Sequence, residues 1–131
     1  MAKLRHIAIN VDDLEVDAKF YINAFELEEV GRAGSAENGA VYLSDGVINV
    51  ALIRISDTEF PNYNPRGLNH IGFVVTDLDA AIDRAEKAGA VATVDRNNRA
   101  AGVTWEMKMK APSGVAFDLS DHGWPGIAHV E

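Results

Sequence analysis

The chain has 131 residues, of which 47% are hydrophobic and 24% are charged, and its formal net charge at pH 7 is −8. These values are typical of one globular domain, and the negative charge, with no basic stripe to offset it, argues against a nucleic-acid partner. Because the chain has no cysteine, a disulfide framework and a thiolate metal site are excluded, and a bound metal needs His, Asp or Glu ligands.

The hydropathy pattern favours a cytoplasmic protein without a membrane partner. No segment approaches the roughly 18 continuous apolar residues that a membrane-spanning helix requires. The opening segment MAKLRHIAINV runs directly into the first predicted strand. This leaves no room for the charged, apolar and cleavage regions of a signal peptide.

An internal repeat organises the chain. The segment LRHIAINVDDL at residues 4–14 returns as LNHIGFVVTDL at residues 68–78, with a histidine and an Asp-Leu pair at matching positions. Such similarity indicates two modules of one structural type, each close to the lower size limit for independent stability. We therefore expect the two modules to pack together.

Module one, at residues 4–55, is predicted to have the element order βαβββ. Leu4 to Val11 form an apolar, β-branched strand, and Asp12 and Asp13 supply an N-cap signal for the helix that follows. The apolar positions of that helix recur with helical spacing at Leu14, Ala18, Tyr21, Ile22 and Phe25. Strands in ELEEVGR, AVYLS and VINVALIRI come next, and Asp45-Gly46 favours a tight hairpin between the last two.

A linker at residues 56–67, which contains two prolines and a glycine, leads to module two at residues 68–120. There a strand precedes a helix from Asp77 to Ala88. VATVD, VTWEMKMK and VAFDLSD are the following strands, RNNRAAG is a polar loop, and no element is predicted for the tail at residues 121–131. The predicted fold is α+β, with two βαβββ modules forming a cupped, partly closed mixed sheet and the helices outside.

Alternation along the strands places both histidines on faces with small neighbours. His6 shares its face with Ala8, and His70 shares its face with Gly72, whereas the bulky residues point to the side that a helix covers. Asp118 has the same parity in the last strand. If the repeat makes the first strands neighbours, these three side chains converge. Two imidazoles and one carboxylate suit Fe(II), Mn(II), Ni(II) or Zn(II) held for chemistry.

Each of these residues also has an ordinary structural interpretation. A histidine on a half-buried strand is commonly a hydrogen-bonded structural group, and a duplication carries a histidine along by descent. Asp118 taken alone is an unpaired carboxylate, whose removal is not expected to destabilise a metal-free protein.

Three further site candidates are weaker. Tyr42 could line the cup, although a strand tyrosine is usually packing. Glu106 could be a spare carboxylate ligand or could face solvent. His122 could act on a substrate as an acid or base. It is too far from Asp118 to share a metal, since four residues of strand span about 13 Å.

These segments resemble the vicinal oxygen chelate superfamily, which comprises glyoxalases, bleomycin-resistance proteins and ring-cleaving dioxygenases. The resemblance covers residues 4–120 and rests on HIAINVDDL, HIGFVVTDL and APSGVAFDLSD. It implies a metal in a cup formed by the two modules, with His6, His70 and Asp118 as ligands. It further implies a lyase or dioxygenase-like enzyme whose metal chelates vicinal oxygens of a small organic substrate, and a homodimer.

Two positions depart from the family pattern. The usual terminal ligand is Glu, whereas GVAFDL places Asp118 there. In module one, Asn49 or Ala51 stands where four-ligand members have Glu or Gln, so the pattern is closer to the three-ligand thiol transferases and extradiol dioxygenases. The alternative function is metal-free binding of a drug or aromatic compound, as in bleomycin-resistance proteins. Its cup would be lined by Tyr42, Trp105 and Met107.

Overall fold

The computed structural model describes residues 1–60, 63–99 and 105–128. Within them, two helices, one short 3-10 turn and eight strands form an α+β fold, as predicted, and the strands have both parallel and antiparallel partners. The chain divides into two compact units. The N-terminal unit comprises residues 6–69 and 124–128, and the C-terminal unit comprises residues 1–5 and 70–123, in each case as far as they are described.

The N-terminal unit has the predicted βαβββ order. Its elements are β1 (Lys3–Asn10, of which residues 6–10 belong to this unit), α1 (Leu14–Phe25), β2 (Glu28–Gly34), β3 (Gly39–Ser44) and β4 (Asn49–Arg54). The strand order is β2-β3-β4-β1, with β1 parallel to β4 and the other pairs antiparallel. The parallel pair follows from the helical crossover between β1 and the later strands.

Helix α1 begins where the sequence places its cap. The Asp13 carboxylate accepts hydrogen bonds from the backbone N–H groups of Glu15 and Val16, which satisfies two donors of the first turn. The helix packs on the apolar face of the strands, where the buried core contains Leu14, Ala18, Val41, Leu43 and Leu52. The opposite strand face carries His6, Ala8 and Asn49, as strand alternation predicts.

The C-terminal unit repeats this plan. It contains β5 (Gly67–Val74, of which residues 70–74 belong to this unit), α2 (Leu78–Lys87), β6 (Val91–Ala92), β7 (Met107–Lys110) and β8 (Ala116–Ser120). The strand order is β5-β8-β7-β6, with β5 parallel to β8. Its core packs α2 against one strand face and contains Val75, Leu78, Ile82, Met107, Met109 and Leu119.

Several boundaries differ from the sequence prediction. The β3–β4 connection is longer than a tight two-residue hairpin, because the Asp45 carboxylate accepts from the N–H groups of Val47 and Ile48 and β4 begins only at Asn49. β6 has two residues, since its pairing with β7 is short. Residues 96–98 of the predicted polar loop form a 3-10 turn, and residues 100–104 lie outside the described residues.

Neither described helix is long and apolar enough to cross a membrane.

Candidate metal centre

His6 lies on the polar face of the N-terminal unit and is 4% exposed. Parallel pairing of β1 with β4 places His6 directly beside Asn49. The Nδ1 atom of His6 is 2.7 Å from Oδ1 of Asn49, and the Nδ2 atom of Asn49 donates to the carbonyl of Pro125 at 3.0 Å. The His6 ring is therefore held by a fully buried amide that is itself hydrogen-bonded.

Trp124 stacks on His6. The two ring centroids are 4.5 Å apart and the ring planes differ by 4°. No element was predicted for this part of the tail, and Trp124 has no periodic pattern around it that would mark it as a site residue. Proline and glycine nearby indicated only irregular backbone.

His70 and Asp118 form a close pair in the C-terminal unit. Nε2 of His70 is 3.1 Å from Oδ2 of Asp118, and the two side chains are 13% and 4% exposed. The pair arises from strand register, because parallel pairing of β5 with β8 sets Asp118 opposite Gly72, two residues along from His70. Gly72 has no side chain to separate the carboxylate from the imidazole. The structure thus brings together these two predicted ligands.

The charge of Asp118 is stabilised by its neighbours. Nζ of Lys108 lies 3.2 and 3.3 Å from the two carboxylate oxygens. Burial alone raises the pKa of Asp118, but the hydrogen bond with His70 and the nearby positive charge of Lys108 outweigh that effect and lower the pKa to about 2. Asp118 is therefore ionised at neutral pH.

Glu106 belongs to the same local group of charges. Its Oε2 atom is 3.7 Å from Nζ of Lys108, and its side chain is 30% exposed. Trp105 and Met107, in contrast, pack in the core around α2. Antiparallel pairing of Met107 with Leu119 places Met107 on the face opposite Asp118, and Trp105 packs against the same core. The prediction that Trp105 and Met107 line a cup is therefore wrong.

The two weaker catalytic candidates have different surroundings. The His122 side chain is about half exposed and its Nε2 atom is 3.0 Å from Asp121. Tyr42 lies opposite Ala51 on β3 and packs near Gly31, so it shares the strand face of Asn49 and His6. The catalytic roles of Tyr42 and His122 stay predictions.

Strand register identifies the module-one counterpart of Asp118. In the repeat, Ala8 corresponds to Gly72. Gly72 lies opposite Asp118, and Ala8 lies opposite Ala51. Ala51, and not Asn49, therefore occupies the position equivalent to Asp118, and its methyl group cannot bind a metal.

The structure thus contains two βαβββ units, and the C-terminal unit holds the buried pair of His70 and Asp118. A model of the Glyoxalase/Bleomycin resistance protein/Dioxygenase superfamily matches residues 5–106. The chain belongs to this superfamily, which confirms the resemblance stated from its sequence. No curated protein matches the chain.

Solved structures with this fold include a hypothetical protein from Bacillus halodurans C-125, with a TM-score of 0.74, 20% identity, and coverage of 91% of this chain and 93% of the other. A Streptomyces coelicolor methylmalonyl-CoA epimerase variant in complex with 2-nitronate-propionyl-CoA has a TM-score of 0.70 and 20% identity, with coverage of 89% of this chain and 94% of the other. The methylmalonyl-CoA epimerase from Mycobacterium tuberculosis has a TM-score of 0.69 and 21% identity, with coverage of 89% of this chain and 85% of the other. At these identities the similarity establishes a shared fold.

Proposed function

We propose that the protein is a metal-dependent enzyme that binds two adjacent oxygens of a small organic substrate at a divalent ion held by His6, His70 and Asp118. Each of these residues offers one ligand atom. The observation that carries the proposal is the buried His70–Asp118 pair, in which an ionised carboxylate and an imidazole nitrogen are directed at each other.

The donor geometry of this pair fits a transition metal. Two atoms that each lie about 2.1 Å from one ion are about 3.0 Å apart at a right angle and about 3.4 Å apart at the tetrahedral angle. The 3.1 Å between Nε2 of His70 and Oδ2 of Asp118 falls in this interval. Imidazole nitrogen with carboxylate oxygen is also the donor set that Fe(II), Mn(II), Ni(II) and Zn(II) accept.

His6, His70 and Asp118 would hold the ion, and a bound divalent ion would supply positive charge beside a substrate oxygen on which negative charge develops. The protein would hold the ion with one negative charge, from Asp118, and with the two neutral imidazoles of His6 and His70. Ala51 contributes no fourth ligand, so the pair of carboxylates that would shuttle a proton in a four-ligand site is missing from these strand positions. This supports three-ligand chemistry over a glyoxalase I-like reaction.

A second candidate function is metal-free binding of a small aromatic or amphipathic compound. It is favoured by Lys108, whose ammonium group contacts both oxygens of Asp118 and neutralises the carboxylate without a metal. On this hypothesis His70, Asp118 and Lys108 form a structural ion network.

Elemental analysis of protein purified without added metal or chelator separates the two functions. We expect Fe, Mn, Ni or Zn near one ion per chain, and loss of that metal in His70→Ala and Asp118→Asn. His122→Ala and Asp121→Asn are the matched controls, since both residues are partly exposed and should leave the metal in place. Failure of the parent protein to bind any of the four ions on titration would favour the metal-free function.

The substrate is then sought with the metal-loaded protein. The screen compares vicinal diols, hydroxyketones, catechols and CoA esters, with and without oxygen. CoA esters are included because a solved relative of this fold carries 2-nitronate-propionyl-CoA. Turnover that requires oxygen would indicate a dioxygenase-like reaction, and turnover without oxygen would indicate a lyase, transferase or isomerase.

A further inference from the structure

Asn49 lies between His6 and a short tail segment, residues 124–128, and all three belong to the N-terminal unit. The Nδ2 group of Asn49 can only donate, and it donates to the Pro125 carbonyl, which can only accept. The Oδ1 atom of Asn49 therefore faces His6 as an acceptor, at 2.7 Å from Nδ1. The proton of the neutral His6 ring must then lie on Nδ1, and the lone pair on Nε2.

We propose that Asn49 is a positioning residue that fixes His6 in its Nδ1-protonated tautomer, and that the Pro125 carbonyl sets the direction of the Asn49 amide. An imidazole binds a metal through an unprotonated nitrogen, and a hydrogen bond from its other N–H selects which nitrogen that is. The role of this tautomer in metal binding rests on the proposed function. The tautomer itself does not, because it is a property of the metal-free chain.

The tail segment is anchored closely enough to hold the Pro125 carbonyl in place. Ser44 Oγ donates to the Gly126 carbonyl at 2.6 Å, and the Ala128 N–H donates to the Val47 carbonyl at 3.2 Å. Gly126 has φ of +77°, and a Cβ atom there would lie 2.7 Å from Cβ of Ser44. Only glycine fits this approach, so the backbone position of the neighbouring Pro125 is closely determined.

Trp124 fixes the remaining freedom of the His6 ring. A parallel stack at 4.5 Å restrains rotation about the bond from Cβ to the ring. The amide therefore determines which nitrogen carries the proton, and the indole determines the plane in which the other nitrogen points.

The test is long-range 1H–15N NMR of the metal-free parent at about pH 8, above the ordinary pKa of histidine. We expect protonated Nδ1 and unprotonated Nε2 for His6. In Asn49→Leu, which lacks the acceptor, that preference should be lost. The tautomer of the parent tests the proposal even if Asn49→Leu does not fold, because the Asn49 acceptor requires the proton on Nδ1.

Asn10→Leu is the matched control, because Asn10 is a buried amide on the same face of β1. It should leave the His6 tautomer unchanged. A proton on Nε2 in the parent, or an unaltered tautomer in a folded Asn49→Leu variant, would overturn the positioning role.

Zinc titration of the same proteins separates this proposal from the proposed function. We expect Asn49→Leu to weaken zinc binding by about 10-fold to 100-fold, as is typical when a hydrogen-bond partner of a metal ligand is lost. If the parent shows the expected tautomer but binds no zinc or other tested ion, the positioning role of Asn49 stands and the metal-dependent function fails. If the parent binds zinc and Asn49→Leu binds it equally well, the contribution of the His6 tautomer to metal binding is overturned.

Discussion

Replacing Asp118 by Asn should weaken metal binding and, separately, destabilise the metal-free protein. The sequence alone presented Asp118 as an unpaired carboxylate, so the second effect was not expected from it. The structure corrects this, because His70 and Lys108 both contact the carboxylate, whose side chain is 4% exposed. Asn has nearly the same shape as Asp, so the variant removes charge without opening a cavity.

The size of the stability effect follows from the pKa. A folded-state pKa of about 2, against the ordinary value of 3.8, corresponds to about 2 kcal/mol of stabilisation. Because the pKa is lower in the folded chain, this contribution is complete above pH 3.8 and is lost as the pH falls through about 2. Asp118→Asn should therefore be less stable than the parent at neutral pH, and the difference should shrink in strong acid.

Urea denaturation of the metal-free proteins measures this difference. A loss of about 2 kcal/mol lowers the urea midpoint by about 1 M for a domain of this size. Asp121→Asn is the control and should change the free energy of unfolding by less than about 0.5 kcal/mol, since its carboxylate is partly exposed. An unchanged midpoint for Asp118→Asn at neutral pH would refute the inferred stabilisation by His70 and Lys108.

Metal affinity is measured on the same variant by titration. Loss of the carboxylate ligand should weaken binding at least about 10-fold. If Asp118→Asn binds metal as tightly as the parent, Glu106 becomes the next candidate ligand.

Three further predictions concern other parts of the molecule. His6→Ala and His70→Ala should each lower the metal content and still unfold cooperatively in a thermal melt. His6→Ala should also destabilise the metal-free protein, because it leaves the buried Asn49 amide without its ring partner, at a cost of about 1–3 kcal/mol. The pKa of Asp45 is lowered by hydrogen bonds from Ile48 and Val47, so its contribution to stability is present above pH 3.8 and falls in more acidic solution. Asp45→Asn should remove that part of the pH dependence, as measured by melting at a series of pH values. Sedimentation at micromolar concentration should show a homodimer, and a monomer alone would contradict that expectation.

The local features of the fold could be predicted from the sequence. Asp13 and Asp77 mark both helix starts, because capping depends only on neighbouring residues. The faces of β1 and β8 follow from strict alternation, so the parity of His6 and Asp118 was correct. Each of these inferences needs only a few consecutive residues.

Features that depend on distant pairing could not be predicted in the same way. The face of the sheet on which Met107 lies is set by its pairing with Leu119. Strand alternation alone does not indicate which of the two faces the helix covers. The choice between Asn49 and Ala51 likewise required the pairing of β1 with β4. The Asn49–Pro125 hydrogen bond joins residues 76 positions apart, and the tail carries no periodic signal that would reveal it.

The two histidines of the repeat occupy different chemical settings, and this bears on why both are present. Descent from a duplication explains matched histidines in matched strands, but it predicts similar surroundings for them. His6 instead has an amide and an indole, from Asn49 and the tail residue Trp124, whereas His70 has a carboxylate from β8. Asp118 lies opposite Gly72 in the C-terminal unit. At the equivalent position of the N-terminal unit, Ala51 lies opposite Ala8 and offers no carboxylate. A buried imidazole is costly unless its polar atoms are satisfied, and each ring is satisfied by a different partner. The histidine of the N-terminal unit is thus held by an amide and an indole, whereas the histidine of the C-terminal unit is paired with a negative charge.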